Sequence, residues 1–508
     1  MRKLFLLLLI SALAALTSCR KDFDFEPSSG GLQFSKNTVY LDSIFTGISS
    51  STYRLKVYNR SNKDLSIPKI ELGNTNNSKF RLMIDGLTGE NGAGKSFNNV
   101  EILANDSLFI FIEATADIAD ANPVDFTYND KINFYSTNEI QKVDLVAPIR
   151  DARFIFPNRP LPNGPKETLI INGEDTAIEG HKLATTEELN WNSDKPYVVY
   201  GYAYVPEGET LTIDAGTNVH FHANSGLIID KNAKIIINGT DDEKVNFQGD
   251  RLETSFANVP GQWGIILITS NLDNEINHLT IKNATVGLLL QRSEETTFPK
   301  LNITNSRIFN SSNVGMLART SVVTGNNLVI NNAGQIALAC NHGGNYNFTH
   351  STFNNNWSSS NQLSVLLNNF IESDNAIFVQ DLIAANFTNC IIYGSNQIEL
   401  LIEKREDPSN PLLFNYKFKN CLIKFNNINN QFTNNAFYNF TNPSIYENCS
   451  IALNGTQFRP RFESIIENKL WLQEHLNLPA DESTIGTSDI KGVIRTIPID
   501  LGAYQYVP

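Results

Sequence analysis

Phe387-Thr388-Asn389-Cys390-Ile391-Ile392 decides the fold, because the chain keeps returning to it. It comes back as Phe418-Lys419-Asn420-Cys421-Leu422-Ile423 and as Tyr446-Glu447-Asn448-Cys449-Ser450-Ile451. Earlier forms are Leu301-Asn302-Ile303-Thr304-Asn305-Ser306-Arg307-Ile308 and Phe348-Thr349-His350-Ser351-Thr352-Phe353. The shared pattern is apolar, polar, Asn or His, Ser or Cys, any residue, apolar. Short apolar strands meeting at a repeated Asn turn, at irregular intervals, are the pattern of a parallel β-helix. Each rung of such a coil covers the apolar face of the one before. Asn suits the turn because it accepts left-handed backbone cheaply and can hydrogen-bond along the stack.

Composition agrees. The 508 residues include 65 Asn, while charged residues make up only 18%. Asn is a poor helix-interior residue and a good turn residue. This excludes helical bundles and coiled coils and favours an all-β protein with many turns. The formal charge is −13. It becomes −15, from 38 basic and 53 acidic residues, if Arg2 and Lys3 leave with a signal peptide. An acidic chain repels phosphate backbones, so a nucleic-acid partner is not expected.

Upstream of the repeat, Gly226-Leu227-Ile228-Ile229 and Lys234-Ile235-Ile236-Ile237-Asn238-Gly239-Thr240 extend the short-strand pattern. The right-handed parallel β-helix is therefore placed at 196–455. Residues 30–150 alternate differently, as in Tyr53-Arg54-Leu55-Lys56-Val57-Tyr58 and Ser107-Leu108-Phe109-Ile110-Phe111-Ile112. They predict an immunoglobulin-like β-sandwich. A Pro-rich stretch at 156–165 marks the boundary, and 151–195 is read as linker and lead-in to the coil. Beyond 455, Phe462, Ile465, Ile466 and Leu470 have helical spacing. They predict a short helix within a C-terminal cap, 456–508, covering the open end of the coil.

The first residues give an address. Arg2 and Lys3 precede an apolar run from Leu4 to Leu16, too short to span a bilayer comfortably. Leu16-Thr17-Ser18-Cys19 follows, so residues 1–18 read as a signal peptide. Leu16 to Cys19 resembles the lipobox of bacterial lipoproteins, which implies lipidation of Cys19. The 19–29 tether, opening Cys19-Arg20-Lys21-Asp22, is similar to that of Bacteroidota lipoproteins exported to the cell surface. Acyl chains at Cys19 would anchor the protein in a membrane.

Further stretches resemble the same group. Leu211-Thr212-Ile213, Gly216-Thr217, Ile237-Asn238-Gly239-Thr240 and Pro260-Gly261-Gln262-Trp263-Gly264 look like Bacteroidota β-helix lipoproteins of pectate-lyase-like fold. The end, Ile499-Asp500-Leu501-Gly502-Ala503-Tyr504, is similar to the closing motif of many such proteins. The resemblance implies architecture and an outer-membrane location. It does not imply lyase activity.

Several motifs suggest chemistry. Gly89-Glu90-Asn91-Gly92-Ala93-Gly94-Lys95-Ser96 spells a P-loop. Phosphate binding there needs a following helix, whereas Phe97 to Leu103 reads as strand, so a hairpin loop is expected. His220 and His222 alternate with inward Val219 and Phe221 and are read as surface histidines. His342 and His350 flank a Gly-Gly loop, and His350 falls at the Asn turn position. Cys390, Cys421 and Cys449 share the register of Ser306 and Ser351, as small side chains inside the coil. With Cys340 they are read as thiols, although stacked neighbours could come within disulfide reach. Asp241, Asp242, Glu243, Asp250 and Arg251 form one charged segment, and Glu403, Arg405, Glu406 and Asp407 another. Neither has a distinctive acid–base or cation-binding pattern, and both read as solvated turns. Asp42-Ser43-Ile44, Asp106-Ser107-Leu108 and Asp175-Thr176-Ala177 look like the Bacteroidota O-glycosylation pattern.

The sequence thus predicts no catalytic, metal or cofactor residue. It points to a membrane-anchored, surface-exposed, non-enzymatic lipoprotein acting as an interaction or structural subunit of an outer-membrane complex. The alternative is a β-helix protein that binds or cleaves polysaccharide.

Overall fold

The computed structural model describes residues 24–159, 164–171, 173–296, 298–373, 376–407, 410–454 and 457–508. The residues read as a signal peptide, Cys19 and the start of the expected tether lie outside them. The chain divides into two compact units, 1–151 and 152–508.

In the first unit, a seven-stranded and a four-stranded sheet share one core. Alternation explains it. Leu55 and Val57 of Tyr53–Tyr58 point inward, as do Ile110 and Ile112 of Ser107–Ala114. They meet Ile70, Leu72, Phe134, Val143 and Leu145 of the other sheet. Most pairings are antiparallel, but Thr38–Tyr40 runs parallel to Ile140–Arg150. Phe80–Ile84 belongs to the four-stranded sheet and Ser96–Ile102 to the seven-stranded one. The P-loop-like stretch therefore arches between sheets and does not close a hairpin.

The second unit is a parallel β-helix with three faces. One face is an eleven-stranded sheet from Arg153–Ile155 to Ser450–Ala452. The other two faces merge in an eighteen-stranded sheet, because Val314–Asn326 and Ile336–Thr349 continue around a corner. A single aliphatic and aromatic core fills the coil. Within it Phe348, Phe387, Phe418 and Tyr446 stack in sequence, with centroids 5.3, 4.9 and 5.5 Å apart.

The repeated sequence is one corner of this coil. His278, Asn305, Asn327, His350, Asn389, Asn420 and Asn448 all have left-handed backbone, with φ between 46° and 52°. Each N–H donates to a carbonyl of the next rung, from His278 onto Thr304 to Asn420 onto Glu447. Side chains add to the ladder. Asn327 donates to Asn305 Oδ1 at 2.9 Å, and Asn389 Nδ2 lies 2.9 Å from His350 Nε2. The next residue points inward and donates two residues back: Ser306 to Thr304, Ser351 to Thr349, Cys390 to Thr388, Cys421 to Lys419. Ser and Cys interchange here because each is a small side chain with one hydrogen to give.

The C-terminal region departs from the expected cap. Phe462–Ser464 and Lys469–Leu472 form an antiparallel hairpin, not a helix. Ile466 is 89% exposed at its tip, and Asn468 is left-handed. The region lies along the outer side of the eleven-stranded sheet, where Leu470, Ile490, Ala503 and Tyr504 pack on Phe309 and Val329. The last rungs are covered instead by aromatics of an earlier loop, where Phe432, Tyr438 and Phe440 surround Phe425. Tyr438 Oη also accepts the otherwise open Ile402 N–H at 2.9 Å.

Candidate functional site

On the coil's long flank, successive inward residues are Ile266 and Ile268, Leu288 and Leu290, Met316 and Ala318, Leu338 and Cys340. Strand alternation then forces the residues between them outward. Those residues are, apart from Tyr204, also aliphatic. Tyr204, Ile228, Leu267, Leu289, Leu317, Ala339, Leu366 and Leu401 stand in one register across eight strands. Ile265, Val286, Val314, Ile336 and Leu363 form a second column beside them. Seven are half-buried, Val286, Val314, Ala339 and Leu366 are buried among them, and Tyr204 and Ile228 are buried with Leu169. At about 4.8 Å per strand the stripe runs roughly 30 Å. Sequence reasoning passed over it, although runs such as Ile265-Ile266-Leu267-Ile268 carry the signal. An unbroken apolar strand over a filled core must turn some of its side chains outward.

A cleft of about 1020 Å³ opens near the first rungs, between Phe156, Tyr200, Tyr202 and His222. His222 stacks on Tyr200 at 4.5 Å, and its Nδ1 meets Asp250 Oδ2 at 2.7 Å. Burial and the Asp250 carboxylate push the Tyr200 hydroxyl up to about 12, so it stays protonated. The cleft can stack and hydrogen-bond a ligand. Of the two histidines expected at the surface, His222 is half-exposed but His220 is buried, with Nδ1 3.3 Å from Gly249 O. Alternation identifies the outer side of a strand but not whether more chain covers it.

Several of the other predicted groups have structural partners. Asp241 pairs with Lys244, Arg251 with Glu253, Lys404 with Glu406 and Arg405 with Glu372. Lys95 of the P-loop-like stretch donates to Ser78 O and Phe80 O, and burial lowers its pKa. Gly94 is left-handed, and a β-carbon there would lie 2.6 Å from Leu82 O, which explains the glycine without a phosphate. Thr176 of one glycosylation-like triplet donates to Leu169 O. Cys340, Cys390, Cys421 and Cys449 are free thiols, and burial holds Cys340 and Cys421 well above the usual thiol range. His342 and His350 are pushed down to about 4 and about 3 by burial, with Arg292 and Arg319 adding to the first and Arg495 to the second.

Sequence reasoning missed several buried acids, Glu399 among them. Glu399 is fully buried and accepts from Ser364 Oγ and Asn396 N, both at 2.7 Å. Burial pushes its carboxyl up to about 8. Lys424, nearby, donates to Gly394 O at 2.6 Å. Both charged groups are consumed within the wall of the coil. Among the described residues, no group of three or more His, Cys, Asp and Glu side chains is arranged to hold a metal ion.

No curated protein sequence matches this chain. Among solved structures, it is similar to a PapD-like domain of human CEP192 at 12% identity, over 27% of this chain and 97% of that one (TM-score 0.16). It is similar to a family 123 glycoside hydrolase from Clostridium perfringens at 9% identity, over 24% and 30% (TM-score 0.17). The periplasmic chaperone SfaE matches at 13% identity, over 23% and 58% (TM-score 0.13). The family comparison falls on the coil itself: residues 183–289 match the model of the pectate-lyase-like β-helix domain.

Proposed function

We propose that the protein is a lipid-anchored outer-membrane component, exposed at the cell surface, that works as a non-enzymatic interaction subunit. Its right-handed β-helix serves as a rigid docking face. The observation that carries this reading is the outward aliphatic stripe on the coil flank. Aliphatic residues held in register on the outside of a filled coil add nothing to its inner core. Contiguous apolar surface of this kind marks interaction sites. The pairing of Asp241 with Lys244 and of Glu406 with Lys404 supports a binding role over a catalytic one.

Affinity purification of the lipidated protein from native membranes tests the proposal. The wild type should bring down one stoichiometric outer-membrane partner, and a Leu289→Asp, Leu317→Asp double variant should lose it while remaining folded. Recovery of no partner, or equal recovery with the variant, would refute the docking face. Cys19→Ala should release the protein from the membrane fraction, and its retention there would refute the anchor.

A further inference from the structure

A second pocket, of about 520 Å³, lies at the C-terminal end of the coil. This is within the usual range of small-ligand sites, roughly 300–1,000 Å³. Its composition is unlike the rest of the molecule. Eight of its fourteen lining residues carry side-chain amides, and none carries a charge. The chain as a whole has 93 charged residues. Glu399 and Lys424, in the segments that carry part of this lining, are buried with their hydrogen bonds spent on Ser364, Asn396 and Gly394.

The amides are held before any ligand arrives. Asn396 Nδ2 donates to Ser360 O at 3.1 Å and to Gln362 O at 2.6 Å. Asn426 Nδ2 donates to Gln397 Oε1 at 2.7 Å, and Asn426 N to Gln397 O at the same distance. Gln397 is thus fixed through its oxygen, and its Nε2 remains available to a ligand. Leu363, Ile398, Leu401 and Phe432 supply apolar wall. Phe432 is itself braced by Phe425 and Tyr438, at 5.8 and 4.9 Å.

We infer that this pocket binds a neutral saccharide. An amide offers both donors and acceptors, which is what a hydroxyl needs on its two sides. A sugar ring presents a rim of hydroxyls around a C–H face, matching amides set around aliphatic and aromatic wall. A charged ligand would lose water and gain no counter-charge. The pocket shares Leu363 and Leu401 with the end of the docking stripe, but the assignment does not depend on the identity of any protein partner.

The test uses the full lipidated chain in a zwitterionic detergent that contains no sugar. Calorimetry measures binding of maltohexaose, cellohexaose, mannohexaose and xylohexaose, with hexagalacturonic acid and a neutral Ser/Asn-rich octapeptide as contrasts. At least one neutral hexaose should bind with Kd below about 1 mM. Gln397→Glu, an isosteric change on an exposed side chain, should weaken that binding at least tenfold. Phe432→Ala should do the same, and the melting temperature of each variant checks its fold. Binding of no neutral hexaose, tighter binding of the acidic sugar or the peptide, or affinity unchanged in both variants would overturn the assignment.

Discussion

Left-handed backbone at a tight corner selects the residue. An L-residue with a β-carbon pays roughly 1–2 kcal/mol for that conformation, and Asn recovers part of it through local hydrogen bonds. The corner at 350 uses His in this role and has a consequence for pH. His350 titrates near 3 in the folded protein, against about 6.5 when unfolded. Below pH 6.5 the unfolded chain therefore binds the extra proton first, and stability falls as the pH drops toward 3. His342, held at about 4, acts in the same direction. His350→Asn restores the residue used at most other corners. It should keep stability at pH 8 within about 1 kcal/mol of wild type. It should also flatten the decline between pH 6.5 and 4, as read from urea midpoints at each pH. An unchanged pH slope would show that His350 is not the titrating group. This corner was legible in the sequence because one backbone requirement is imposed on every rung. His220 was not, because strand alternation does not tell whether the outer side of a strand is covered.

At the scale of elements, the strands announced themselves and the C-terminal hairpin did not. Phe462, Ile465, Ile466 and Leu470 mimic a helical face, yet only Leu470 among them is fully buried. The hairpin is set by what it lies on. Asn468 donates to Asn310 and accepts from Asn331, so it joins the amide rows of the coil wall. Arg495, almost fully buried, donates to Asn327 Oδ1 and to the carbonyls of Asp500 and Gly502. Such tertiary choices override local propensity. Leu470→Asp would place an unpaired carboxylate against Phe309 and Val329. It should cost about 3 kcal/mol or more. Hydrogen exchange should quicken in Arg307–Ser311 and Val329–Ala333 before it quickens in the first unit. Uniform loss of protection would contradict a separable strap. The aliphatic stripe was legible in principle, since its apolar runs violate strict alternation. The amide pocket was not, because three segments far apart in sequence assemble it.

At the scale of the molecule, the two units have separate cores, and each buries its own apolar faces. A chain segment that closes its own core can fold alone. Residues 24–151, expressed by themselves, should give a β-type circular dichroism spectrum and one cooperative denaturant transition. A fragment that stays unfolded would show that it depends on the coil. The second unit behaves differently. Its rungs follow one another in the chain, but its strap does not: Asn327 is bonded to Ser488 and Arg495, which follow it by more than 160 residues. A later part of the chain therefore finishes an earlier one. A ribosome that stalls near residue 455 would release a coil whose side is still bare. Completion of that wall records, in time, that synthesis has passed Arg495.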